Sequence, residues 1–227
     1  MGKRQPHRAL LVVVGLAILV SGCGLQSELD KTRQLMRMND LRNVGLAMMQ
    51  YVMEHGVYPP PSIVNEQGQP LLSWRVAMLP YLGHQALYNS FKLEEPWDSE
   101  HNLKLLKAMP AVFNYEGGTT TRYQVFVGDG APFDVNRETI VPTDDVEWTI
   151  LLVETAPDKA VPWTKPADVA FDPNDPAKAL GQFPAEGALA VTFDYRVKDL
   201  PANLAPEVLK AMVTPTGQEA VEVFPVD

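Results

Sequence analysis

The chain has 227 residues, a formal net charge of −9 at neutral pH and one cysteine, Cys23. An acidic balance lacks the basic footprint that nucleic acid and anionic head groups require, so neither is expected as a partner. A lone cysteine excludes an intrachain disulfide and a cysteine-built zinc or iron–sulfur site, so no cofactor or metal is expected on that chemistry.

The first eight residues, MGKRQPHR, carry Lys3, Arg4 and Arg8 and no acid. Ala9 to Val20 is an apolar run, followed by Ser21-Gly22-Cys23. A basic start, an apolar core and small residues at a cleavage site predict a signal peptide over 1–22. The run is too short to span a bilayer as a helix, which needs about 20 apolar residues. Val20-Ser21-Gly22-Cys23 resembles the bacterial lipobox. That resemblance implies diacylglycerol on the Cys23 thiol, cleavage before Cys23 and a mature chain anchored in a membrane on its extracytoplasmic face. Gly24 stands where an aspartate often retains lipoproteins in the inner membrane, which favours the outer one. The alternatives are an uncleaved anchor or ordinary secretion with a free thiol.

Residues 23–34 then read as the anchor and the start of a helical stalk, and 35–227 as a single domain. The spacing of Leu41, Val44, Gly45, Met48 and Val52 places them on one face of a helix over 27–54, with Ser27 as its N-cap. Gly56 and the run Pro59-Pro60-Pro61 stop it. Trp74, Ala77, Met78, Tyr81 and Leu82 again share a helical face, bent or ended at Pro80. A short helix is expected over 99–109, ended by Pro110. The period then changes to that of strands at 123–128, 149–154, 188–197 and 219–224. Residues 157–176 read as a proline-rich loop, and Pro206 opens a last helix over 206–213. Helices first and strands afterwards predict an α+β fold with an antiparallel sheet.

Several of these stretches resemble a known family. LRNVGLAMMQYVMEHGVYPP (41–60) and LLSWRVAMLPYLGHQALYNSFKLEEPWDSEHNLKLLKAMP (71–110) are similar to the large planctomycetal family called domain of unknown function 1559. Ser73-Trp74-Arg75 and Glu95-Pro96-Trp97-Asp98-Ser99 are the most specific marks, with weaker echoes at 123–130, 149–166 and 208–217. The resemblance implies a pilin-like fold, a long N-terminal helix packed on an antiparallel sheet, as in pseudopilins. It implies no established activity, although a solute-binding label accompanies the family. Two departures stand out. The apolar run holds no glutamate of the kind that packs pilins into filaments. Asp194 is followed by Tyr195-Arg196-Val197 where members carry Gly-Ser-Val, so a tight glycine turn is expected to be lost.

The acidic stretch Glu94 to His101 is the strongest chemical candidate. Its carboxylates and imidazole could hold a hard cation or act as an acid–base pair, and Trp97 could stack on a sugar. The competing reading makes Asp98 or Ser99 a helix cap and Trp97 a core residue. Asp129-Gly130 and Asp144-Asp145-Val146-Glu147 are explained by turn chemistry. His55, His84 and His101 lack metalloprotease spacing, and no serine elbow or phosphate loop occurs. The expectation is a non-catalytic, lipid-anchored envelope protein that presents its sheet and the 156–176 loop to envelope proteins or a polymer. The alternative is a solute- or glycan-binding lipoprotein using Trp97, Asp98, His101 and Trp163 in a cleft with exposed aromatic faces. A remoter one is an extracytoplasmic hydrolase using Glu95 and Asp98.

Overall fold

In the computed structural model the residues described are 7–114, 117–143, 145–182 and 187–215, with side chains from residue 26 onward. The chain divides after Met38 into two compact units. Helix α1, His7–His55, carries the first unit and opens the second. Ser27 sits inside this helix and does not cap it, which corrects the predicted start. Within the first unit, residues 26–36 are exposed and bear the ion pairs Lys31–Glu28 and Arg33–Asp30, each 3.0 Å. Among the described residues no helix is long and apolar enough to cross a membrane.

The second unit is α+β. Strands β1 (Ser62–Val64) and β2 (Pro70–Ser73) form a hairpin that runs into α2 (Trp74–Ala77). A 3-10 turn at Pro80–Leu82 and α3 (Gln85–Tyr88) follow, then a 3-10 segment at Asn102–Ala108 where a longer helix was expected. Next come β3 (Thr120–Thr121), β4 (Tyr123–Gln124), β5 (Phe126–Val127) and β6 (Ile150–Glu154). The proline-rich stretch is ordered by β7 (Val161–Pro162), antiparallel to β3, and β8 (Val169–Ala170), parallel to β5. Strands β9 (Ala188–Thr192) and β10 (Val197–Leu200) and helix α4 (Pro206–Val213) complete the described chain. The expected strand 219–224 lies outside the described residues.

The principal sheet is antiparallel in the order β10-β9-β6-β4. Every residue of β6 and β9 is buried, as continuous apolar runs covered on both faces must be. Ala188 and Ala190 pack with Leu209, Met212 and Val213 of α4. Val191, pointing the other way by the two-residue alternation of a strand, meets α1 at Gly45. A Cβ at Gly45 would lie 3.0 Å from Val191 Cγ1, so the glycine lets helix and strand approach. Strands β9 and β6 of the sheet are therefore covered by α1 and α4, while the edge strand β10 keeps Asp199 exposed.

Residues 188–197 are not one strand. The chain reverses at Phe193–Arg196, with Thr192 N donating to Arg196 O (3.0 Å) and Tyr195 in the left-handed region at φ 64°. The tight turn thus survives without glycine. Asp194 Oδ1 accepts from Thr192 Oγ1 (2.5 Å) and Arg196 N (3.2 Å), the local bonding that turns use. The Tyr195 hydroxyl is tied to that of Tyr58.

A buried ion pair joins the segments. Arg75 is fully buried and its Nη2 lies 2.8 Å from Asp168 Oδ1. The same oxygen accepts from Trp74 Nε1 (3.1 Å) and Val125 N (3.0 Å). Arg75 also donates to Tyr123 O and Ser73 Oγ. Charges taken out of water persist only when so fully bonded.

Candidate functional site

The sequence candidates do not converge. Trp163 is fully buried, stacked on Phe113 at 6.0 Å, with Phe91 edge-on at 5.7 Å, and its Nε1 donates to Leu106 O. It offers no ring face to a ligand, so its proposed binding role is corrected to core packing. Trp97 is half-buried and held from its backbone by Leu71 O, with the Lys165 ammonium 5.6 Å from its ring centre. Asp98 is exposed, and the exposed His101 donates from Nε2 to Ser90 O at 2.8 Å. Ser99 Oγ accepts from Asn102 N, as a capping residue does. Glu95 is bonded to Lys92 at 2.7 Å, which holds its carboxyl below the usual range, and neither Glu95 nor Asp98 lines the clefts described below. Asp145 opens a turn with φ 56° whose carbonyl accepts from Trp148 N and Thr149 N, while Asp144 lies outside the described residues. Among the described residues no three His, Cys, Asp or Glu are grouped to hold a metal ion. Cys23 lies on α1 in the stretch 7–25, outside the described side chains.

The second unit instead carries a cleft of about 600 Å³ that none of those residues lines. Its size falls within the roughly 300–1,000 Å³ usual for ligand sites. One wall is the end of α1, where Tyr51 and His55 continue the face of Val44 and Met48 at helical spacing and Gln50 and Glu54 stand on its flank. The facing wall is Ala77, Pro80, Tyr81, Gln85, Tyr88 and Leu93. Gly56 ends α1 with φ 76° and its N–H on Val52 O, which stops the helix where Glu54 and His55 still face the opening.

Inside, Tyr81 donates its hydroxyl hydrogen to Glu54 Oε2 at 3.0 Å. The Tyr81 hydroxyl oxygen itself lies 2.9 Å from His55 Nε2. With its one hydrogen already given, Tyr81 accepts from His55 Nε2–H. The rings of Tyr51 and His55 lie 4.2 Å apart, and those of Tyr51 and Tyr81 meet edge-to-face at 5.6 Å. Burial, the bond to Glu54 and nearby charge push the Tyr81 hydroxyl up to about 12, and burial raises Tyr51 as well. Both phenols therefore keep their protons at physiological pH and serve as donors. Among the described residues no lysine or arginine lines the cleft.

A smaller cavity of about 150 Å³ lies beside Phe113, Arg122 and Glu154. Arg122 Nη1 is 3.3 Å from Glu154 Oε1, and its Nε donates to Thr155 O at 2.6 Å. Its charged groups face each other in the interior, which marks it as structural.

Sequence reasoning passed over the larger cleft because it took Tyr81 as part of an apolar helical face and gave Tyr51, Glu54 and His55 no role together. The available signal was Tyr51 and His55, polar-tipped rings that continue the buried stripe of Val44 and Met48 to the helix end, with Glu54 beside them. Residues 30–124 match a family model described as a protein of unknown function (DUF1559), whose short label is that of a bacterial solute-binding protein. Every residue lining the larger cleft falls within that stretch. No curated protein and no solved structure matches the chain.

Proposed function

We propose, from the premise that residues 30–124 belong to the DUF1559 family, that the chain is an extracytoplasmic lipoprotein that binds a small polar ligand without transforming it. The observation that carries this reading is the open cleft of about 600 Å³ walled by tyrosines, amides, one carboxylate and one imidazole. Its phenols are held in their protonated, hydrogen-bond-donating form, and Tyr81 is already committed to Glu54. Such groups are arranged to recognise rather than to take a proton. Anchoring through Cys23, with removal of 1–22, rests on Val20-Ser21-Gly22-Cys23 and the basic, apolar run before it. The α1-on-sheet arrangement of the second unit is read as pilin-like, and envelope proteins or a polymer as the natural surroundings of the domain.

The binding reading is tested by purifying the full-length protein in detergent from a bacterial envelope and identifying retained small molecules by mass spectrometry. A species held by the wild type and lost from Glu54→Gln with Tyr81→Phe supports it. Equal retention by both proteins, or none by either, would sink it. The anchor is tested by intact mass and membrane partition of wild type against Cys23→Ala. A species beginning at Cys23, heavier by a diacylglycerol and membrane-bound only when the thiol is present, is the expected result. An unmodified chain retaining 1–22 overturns it.

A further inference from the structure

Resting on the binding reading above, we infer that the ligand of the Tyr51–Glu54–Tyr81 cleft is a neutral saccharide. The lining narrows the choice by elimination and by fit. An anionic ligand such as a phosphate or a carboxylate calls for a guanidinium, an ammonium or a ring of backbone donors. Among the described residues the cleft presents neither of the cationic side chains, and the Glu54 carboxylate stands in its lining. An organic cation calls for aromatic faces spread around an empty space. Here the rings of Tyr51, His55 and Tyr81 fill one another's faces and edges, with centres 4.2, 5.6 and 6.4 Å apart, so no cage is left between them.

A pyranose matches what remains. It has an apolar C–H face to lay against an aromatic ring and a rim of hydroxyls that each donate and accept. Tyr51 and Tyr88 are half-buried in the cleft wall, with part of each residue reachable from solvent. Around them stand planar polar groups with spare capacity. Glu54 has Oε1 beyond the bond that Oε2 takes from Tyr81, and His55 has Nδ1 beyond the bond that Nε2 makes to Tyr81. The exposed amides of Gln50 and Gln85 supply both donors and acceptors. Gln85 Nε2 bonds Asn89 Oδ1 at 2.8 Å, which orients its amide without using its carbonyl. A hydroxyl that donates to Glu54 while accepting from an amide satisfies both at once, an exchange that an uncharged polyol makes at little desolvation cost.

The test is calorimetric titration of the full-length protein in detergent with cellobiose, maltose and chitobiose, and separately with choline chloride and sodium phosphate. At least one disaccharide is expected to bind, with affinity lowered tenfold or more in Glu54→Gln and several-fold in Tyr81→Phe, which keeps the ring. Circular dichroism of both variants confirms that they are folded, since Glu54 is exposed and its replacement isosteric. Failure of all three disaccharides overturns the saccharide assignment. Glu54-dependent binding of choline or phosphate in their place does the same while leaving the binding function standing. No heat with any probe, together with no small molecule retained by the purified protein, removes both.

Discussion

The phenolic oxygens of Tyr58 and Tyr195, 137 positions apart in sequence, lie 2.7 Å from each other. This contact holds the β9–β10 turn against the segment after α1, where the Tyr58 ring also meets Phe193 edge-on at 5.2 Å. It offsets the cost of placing a tyrosine in the left-handed region, about 1–2 kcal/mol. Tyr195→Phe keeps that cost and loses the bond, so urea unfolding should show a loss of about 1 kcal/mol. Tyr58→Phe should lose a similar amount, and the double variant little more than either single one. Strict additivity of the two losses would show that the hydroxyls act separately.

Alkaline pH acts on the same contact. Burial, with the bond to Tyr195, raises the Tyr58 hydroxyl above its ordinary value, and Tyr81 is pushed up to about 12. In the unfolded chain both lose their protons near pH 10. The folded state thus holds more tightly the protons that the unfolded state gives up, so this stability is complete below about pH 10 and is lost as pH rises. Unfolding midpoints at pH 9 and pH 11 should fall for the wild type and fall less for Tyr58→Phe. A pH-independent midpoint over that range would refute the assignment.

Removing one partner of the Arg75–Asp168 pair leaves a buried charge alone. Asp168→Ala should cost about 3–5 kcal/mol, seen as a lowered melting temperature, and Arg75→Met a comparable amount. Arg75→Met with Asp168→Leu should recover a large part of either loss, because no charge is then stranded. A double variant as unstable as the sum of the singles contradicts this account.

Two glycines with nearly the same backbone angle should respond differently to alanine. Gly187 has φ 79° and an added Cβ would sit 2.1 Å from Leu200 O, on the strand paired with β9. Gly68 has φ 76° and nothing within 4 Å. Gly68→Ala should cost only the backbone strain, about 1 kcal/mol, and Gly187→Ala about 3 kcal/mol or more once the collision is added. Chemical denaturation of the two proteins side by side measures the difference.

Much of this architecture is legible in the residues. The stripe Leu41, Val44, Met48 is buried as its spacing requires, and the apolar runs at 149–154 and 206–213 become β6 and α4. What was hidden depends on partners distant in sequence. Tyr195 could be seen as a turn residue only through Tyr58, and 123–128 splits because Val125, between β4 and β5, donates its N–H to Asp168 instead of to a strand. Helix α1 continues upstream of Ser27 through Gly24 and Gly22, so the local capping preference of the serine does not set the helix start. The cleft was least legible of all. Its two walls come from separate helical segments, and the composition of each alone is that of an ordinary helix end.

Asp168 Oδ1 has a consequence for modularity. The stretch that matches the family ends at residue 124, yet the counter-charge for Arg75 and the partner strand for Tyr123–Gln124 lie at 168 and 150–154. A fragment cut at 124 would carry an interior guanidinium with no anion and a strand with no neighbour. The matched stretch and the compact unit therefore have different borders. A graft meant to transplant the cleft into another scaffold must carry the chain at least as far as the carboxylate that neutralises Arg75.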